Sequence, residues 1–290
     1  MSKVLYSDPI LGQVEQLNIA DGFPVISINH LKCQAKVSLY GGHVLSWQPT
    51  NQKEVFWLSD TALYQEGKAI RGGIPLCWPW FGPLEGSNQH GFARQVFWQL
   101  ESIQVSDAGV TVVICWQGDQ MDKLWPYRAR LEQTLFFGET FHQSLTITNL
   151  SDEAFQYTGA LHSYFKVSSP DNVTVPLLNN VEFDDKLTGD KITSLVRKNC
   201  QGPIDTVYYN NQAQTLIDSG WQREIDIVNT NTREWVLWNP GVETAKNMVD
   251  VHQGGEQEYV CLEAANTQWQ QVNPNETVTI SQTITVKTIK

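Results

Sequence analysis

The 290-residue sequence contains no apolar run of the ~18 residues that a membrane-spanning helix needs, so nothing in it reads as a membrane protein. Its opening stretch, Met1 to Asp8, lacks the apolar core of a secretory signal, and the expected location is the cytoplasm. The five cysteines, Cys33, Cys77, Cys115, Cys200 and Cys261, are odd in number, widely spaced and without a C-x-x-C pair, which argues against a disulfide framework or a zinc site. Cations are scarce: 20 Lys and Arg against 31 Asp and Glu give a formal charge of −11, the wrong sign for binding a phosphate backbone. A small anion is still open to it, because two or three cations focused in a cleft do not show in the net charge. The glycine patterns of nucleotide cradles are missing, and the histidines show no H-E-x-x-H spacing.

What is present is a chain with 41% hydrophobic and 18% charged residues, enough to bury a sizeable core. Its visible period is two. Val110, Val112, Ile114 and Trp116 alternate with Thr111 and Cys115, and Val278, Ile280, Ile284 and Val286 alternate with threonines. Similar pieces run from Phe141 to Thr148, Glu224 to Val228 and Glu234 to Trp238. Turn signals such as Gly41-Gly42, Gly72-Gly73, Ser169-Pro170-Asp171 and Asn239-Pro240-Gly241 separate them at short intervals. Many short strands joined by turns predict an all-β sandwich, and the length is compatible with one domain over residues 1–290. Asp60 to Gly67 could form one short helix, and the polar stretch Thr188 to Gln214 reads as an exposed loop region.

Several residues stand out chemically. The segment Ala69 to Pro83 packs glycines, prolines and aromatics around a single cation, Arg71, and cannot be a regular central strand. It reads as a rigid loop presenting Arg71; the plainer alternative is a structural arginine held by carbonyls. In Asn88 to Arg94, Gln89 and Arg94 flank a glycine, and two guanidiniums with an amide could hold a phosphate through their planar forks. His162 sits in a run of apolar and small residues, which calls for a polar partner and fits a core histidine as well as a catalytic one. Glu263 closes the apolar run Tyr259 to Leu262; burial would raise its pKa toward neutrality, whereas a strand-end glutamate would face water. Asp205 reads first as an ordinary loop aspartate. Trp47, Trp57, Trp98, Trp116 and Trp235 are expected in the core, with Trp80 and Trp238 as candidate walls of a binding site.

Taken together, Gly41-Gly42-His43-Val44, the arginine-glycine-glycine-isoleucine-proline run at Arg71, His90-Gly91-Phe92-Ala93-Arg94, Leu161-His162-Ser163-Tyr164-Phe165, Trp238-Asn239-Pro240-Gly241 and Cys261 to Asn266 resemble the hexose-6-phosphate mutarotase branch of the aldose 1-epimerase family. The resemblance covers about residues 35 to 270. It implies a galactose-mutarotase-like β-sandwich with the sugar in a cleft across one sheet. It also implies His162 as catalytic acid, Glu263 as base, and Arg71, Gln89, Arg94 and Asp205 as substrate-binding residues, to which His90 and Trp80 are added as further substrate-binding candidates. The stretch Leu177 to Asp185 departs from the family's usual glycine-leucine turn. The implied partner is a small sugar phosphate, with no cofactor, no nucleic acid and no membrane, handled by a monomer or weak dimer.

Ring opening then needs one group to take the proton from the C1 hydroxyl and another to give one to the ring oxygen. A histidine pKa at or above its free value, held up by Glu263 or Asp205, is the expectation. The competing readings are a mutarotase for unphosphorylated sugars, a non-catalytic carbohydrate-binding protein, and a glycosidase with a second carboxylate beside Glu263.

Overall fold

The computed structural model describes residues 2–289. The chain begins with a meander in which Lys3–Asp8, Gly12–Ala20, Phe23–His30, Cys33–Ser38 and His43–Pro49 pair in sequence order. A second sheet runs, in spatial order, Val173–Thr174, Gln214–Asp218, Arg223–Thr230, Thr277–Thr288, Thr140–Asn149, Arg128–Gly138, Gly109–Asp119 and Gln99–Ser106. The third runs Lys191–Ile192, Phe183–Asp185, Ile204–Tyr208, Glu234–Asn239, Tyr259–Val272, Phe155–Leu161 and Leu76–Cys77, with Tyr164–Lys166 also paired to Tyr259–Val272.

The period of two explains how these sheets pack. In Thr140–Asn149, Phe141, Gln143, Leu145 and Ile147 are buried while the residues between them are partly exposed, so the second sheet turns one face inward. That face shares a core with the other two sheets: Val112, Leu135 and Ile284 join Ile28 and Trp47 of the meander and Leu161 and Leu262 of the third sheet. The result is the expected all-β sandwich. Trp47, Phe56 and Phe141 fill its centre with ring centroids 5.4 to 6.1 Å apart, each such side chain contributing about 1.5–3 kcal/mol by burial.

The third sheet is covered on both faces where it matters. Tyr259 to Asn266 are all buried. Val260, Leu262 and Ala264 belong to the shared core, so the alternation turns Tyr259, Cys261, Glu263 and Ala265 to the other face.

Two expectations are corrected here. Asp60 to Gly67 is not helical; it is a run of turns in which the Tyr40 hydroxyl donates to the carbonyls of Gln65 and Lys68, and Tyr64 packs on Phe23. The α-helix lies instead at Gly241–Ala245, five residues that are too few for a 3.6 period to show. Thr188 to Gln214 is not simply a loop, since Ile204–Tyr208 is an inner strand of the third sheet with Ile204, Thr206 and Tyr208 buried.

Candidate active site

Register builds the floor of a cleft of about 1060 Å³ over the third sheet. Glu263 lies opposite Val236, which lies opposite Val207. One pleat along, Cys261 pairs with Trp238 and Trp238 with Asp205. Directly paired residues share a face, so Glu263, Trp238 and Asp205 rise on the same side. Cys77, Ala160, Val207, Val236 and Ala265 pack beneath with Phe81, and these small side chains leave the room the cleft occupies.

His162 enters this cleft at a break in the chain. Phe155–Leu161 ends and Tyr164–Lys166 begins two residues later, with the His162 N–H donating to the Pro75 carbonyl at 3.2 Å. Its ring is only 7% exposed and stacks on Tyr164, centroids 4.8 Å apart and planes 7° from parallel. Nε2 of His162 lies 3.3 Å from Oε1 of Glu263, while His162 Nδ1 and Glu263 Oε2 have no hydrogen-bond partner. Burial, aided by Asp205, pushes the Glu263 carboxyl well above its usual range, against Arg94. Burial also drives His162 well below its usual value, and His90, Arg94 and Arg71 add to the effect. The expected upward shift of the histidine is therefore overturned: desolvation and nearby positive charge outweigh the carboxylates.

The glycines that carry Arg71 are required by space. A Cβ at Gly72 would sit 2.4 Å from the Trp57 carbonyl oxygen and one at Gly73 2.1 Å from that of Val44, both at positive φ. Arg71 Nε donates to Asp250 at 3.1 Å and Nη1 to the Tyr164 hydroxyl at 2.9 Å. Burial works against its charge, but Tyr164 and Asp250 together raise its pKa.

Arg94 is held differently. It sits in the single turn Ala93–Gln95, where Nη2 donates to the Gln89 carbonyl at 2.8 Å. Its Nε is shielded from solvent with no partner, and among the described residues no carboxylate lies within ion-pair distance. Burial lowers its pKa, partly offset by Cys77, Tyr164 and Glu263. His90 adopts φ 62°, and its Nδ1 accepts from the Gly82 N–H at 3.0 Å, which leaves the proton of the neutral ring on Nε2. Burial, then Arg94 and Arg71, hold its pKa down to about 2, so it stays neutral.

The cleft thus gathers Arg71, Gln89, His90, Arg94, His162, Asp205 and Glu263. Gln89 is exposed at the rim, and only its carbonyl is bonded by Arg94. Asp205 is a strand residue, not a loop one, and burial raises its pKa. Trp80 does not belong: it is 1% exposed, donates Nε1 to the Asn88 carbonyl and packs edge-on to Phe92. Its indole is walled in by the loop that carries it, whereas Trp238 does line the cleft. Sequence reasoning missed Asp250, which follows Asn247-Met248-Val249 without any pattern, and gave no role to Tyr164.

With the geometry in place, comparison with known proteins is informative. The family described as aldose 1-epimerase matches residues 24–285. A protein of Salmonella typhimurium named "Putative glucose-6-phosphate 1-epimerase" is 35% identical over 273 residues, 92% of this chain and 91% of that one. One of the same name from Escherichia coli K12 is 33% identical over 296 residues, 99% of each chain. The crystal structure of a Salmonella typhimurium protein described as "a putative mutarotase" superposes with a TM-score of 0.89 at 32% identity, covering 99% of this chain and 97% of that one. A galactose mutarotase-like protein of Clostridium acetobutylicum shares the fold with a TM-score of 0.76 at 13% identity, covering 95% and 98%.

Proposed function

The chain belongs to the aldose 1-epimerase family and is an isomerase of the mutarotase type, and from that premise we propose that it interconverts the α and β anomers of a hexose 6-phosphate. Glucose 6-phosphate is the first candidate, as the names of the Salmonella and Escherichia relatives suggest.

The observation that carries the phosphate is Arg94. Arg94 is half-buried, its Nε lacks a partner and its only bond is to a neutral carbonyl, so its charge is uncompensated, and a neutral sugar offers it little. A phosphate matches its fork and its charge. Arg71 has already committed its Nε–H and one Nη1 hydrogen to Asp250 and Tyr164, and Asp250 compensates its charge, so it brings its remaining three N–H donors but little net charge to an anion. Arg94 therefore carries most of the anion's charge, and Arg71 supplies orientation.

In ring opening, Glu263 takes the proton of the C1 hydroxyl and His162 gives one to the ring oxygen, breaking the bond from C1 to that oxygen. The aldehyde turns about C1–C2. The ring closes on the other face as His162 recovers its proton from the C5 hydroxyl and Glu263 returns one to O1. The pair holds one proton besides the histidine's fixed tautomer throughout, as carboxylate with imidazolium or carboxyl with imidazole. Burial in the free cleft favours the second, uncharged form. A phosphate on Arg94 and Arg71 would cancel two of the charges that depress His162 and make the imidazolium easier to form. In this reading Asp205 and the Nε2–H of His90 bind sugar hydroxyls.

A mutarotase for unphosphorylated sugars is the nearest rival, and it leaves Arg94 without a purpose. Asp205 does supply a second carboxylate in the cleft, but membership of the epimerase family argues against hydrolysis. The test is anomer exchange by saturation-transfer NMR on glucose 6-phosphate, glucose and galactose, with wild type and Glu263→Gln. Exchange accelerated for the phosphorylated sugar and lost in the variant is expected; acceleration of the free sugars alone would overturn the proposal.

A further inference from the structure

Three glutamines lie where an apolar core is otherwise continuous. Gln133, Gln143 and Gln282, on Arg128–Gly138, Thr140–Asn149 and Thr277–Thr288, are each fully buried on the inward face of the second sheet. Leu131, Leu135, Leu145 and Ile284 alternate with them on that face. A primary amide in such surroundings is costly unless its donors and acceptors are met, and these meet one another. Gln133 Nε2 donates to the Gly42 carbonyl at 2.6 Å, Gln143 Nε2 to Gln133 Oε1 at 2.7 Å, and Gln282 Nε2 to Gln143 Oε1 at 2.9 Å and to Ser163 Oγ at 3.0 Å.

Both ends of this ladder lie under the cleft. Ser163 is the neighbour of His162 at the break between two strands, where the His162 ring lines the cleft and the Ser163 hydroxyl reaches down to Gln282. The Ser163 carbonyl accepts from Leu262 N–H at 3.2 Å, one residue before Glu263. At the other end, Gly42 precedes His43, whose Nε2 bonds the Gly72 carbonyl at 2.7 Å, next to Arg71. The break at His162 is tied by single backbone bonds, His162 N–H to the Pro75 carbonyl, Tyr164 N–H to that of Gly73 and Leu262 N–H to that of Ser163, while Ser163 N–H folds back on Leu161 O at 2.9 Å. Those bonds lie along the third sheet; toward the second sheet it is the bond from the fully buried Gln282 amide to the Ser163 hydroxyl that adds a directional restraint to apolar packing.

We infer that Gln282 and Gln143 are positioning residues for the mutarotase reaction: through Ser163 they hold the His162 and Glu263 backbone segments at the separation that proton transfer requires. This rests on the assignment of His162 and Glu263 as the acid and base. Buried polar ladders can be replaced by apolar residues of similar shape with little loss of stability, or a gain, whereas acid/base geometry does not survive such a change. Positioning and stability are therefore separable.

The test is the variant Gln143→Met/Gln282→Met/Ser163→Ala, which keeps the Gln133 bond to Gly42 and leaves Gln133 Oε1 as the one ladder acceptor without its donor, compared with wild type and Glu263→Gln in the anomer-exchange assay. The expected result is a folded protein with a melting temperature within several degrees of wild type, kcat down by about tenfold or more and KM within about twofold. If the triple variant does not fold, Ser163→Ala alone removes the last rung; it strands part of the Gln282 amide and lowers the melting temperature, and the readout is then kcat, expected to fall with KM within about twofold. Wild-type kcat in a folded ladder variant, with Glu263→Gln inactive, would overturn the inference alone. Full activity in Glu263→Gln would overturn the acid/base assignment and, with it, the role given to the ladder.

Discussion

His162 Nε2 and Glu263 Oε1 stand 3.3 Å apart on the cleft face of the third sheet, and burial biases both side chains toward their uncharged forms. The positive field of Arg94 and Arg71 contributes to the depression of His162. A bound anion that neutralises this field should raise the His162 pKa toward its ordinary value, so that more imidazolium is present at a given pH. Titration of His162 by NMR with and without inorganic phosphate reads this directly; an unchanged titration at saturating phosphate would contradict the placement of the anion on these arginines.

Arg94→Met should separate affinity from stability. Loss of a charged partner to the phosphate is expected to raise KM for the hexose 6-phosphate by on the order of tenfold to a hundredfold, leaving exchange of free sugars nearly unchanged. Removing a half-buried cation that has no carboxylate and a single carbonyl partner should at the same time leave the melting temperature nearly unchanged. Steady-state kinetics and thermal unfolding on the same preparation check both directions.

His43 predicts an acid limit to stability. It is fully buried, and burial, against its bond to Gly72 and with a push from Arg94, lowers its pKa to about 4. The unfolded chain takes up this proton below about pH 6.5 and the folded one only near 4, so its contribution is intact above 6.5 and falls as the pH drops through that window. The loss approaches about 3 kcal/mol at the lower end, from about 1.4 kcal/mol per pKa unit. His43→Gln, which can still donate to the Gly72 carbonyl, should flatten the slope of unfolding free energy between pH 6.5 and 4 by about one proton. Denaturant unfolding across that range measures it.

The two tryptophans first considered as sugar walls should now behave oppositely. Trp80→Phe is expected to cost about 1–3 kcal/mol of stability, through a lost Nε1 bond and a cavity, with KM little affected. Trp238→Ala should raise KM severalfold, because Trp238 lines the cleft and lies edge-on to His162 with centroids 6.2 Å apart. A KM effect larger for Trp80→Phe than for Trp238→Ala would reverse that assignment.

The sheets were legible because a half-buried strand writes its two faces into alternate residues: Val110 to Trp116, Phe141 to Ile147 and Val278 to Val286 all fold as their pattern requires. Gly72 and Gly73 were legible as punctuation for the same local reason, the backbone there admitting no Cβ. The sequence motifs also singled out His162, Glu263, Arg71 and Arg94 as a set. Proximity was not legible. Asp250 lies 179 residues beyond Arg71 yet makes its ion pair, and no local pattern encodes a contact made across the cleft. The same holds for the direction of the His162 shift, which sums burial with three surrounding groups and reversed the expectation drawn from a nearby carboxylate. Local alternation and turn chemistry were thus fixed by the chain itself, while the burial of Trp80, the isolation of Arg94 and the pairing of His162 with Glu263 were decided only by tertiary packing, because each depends on what distant strands bring within a few ångströms.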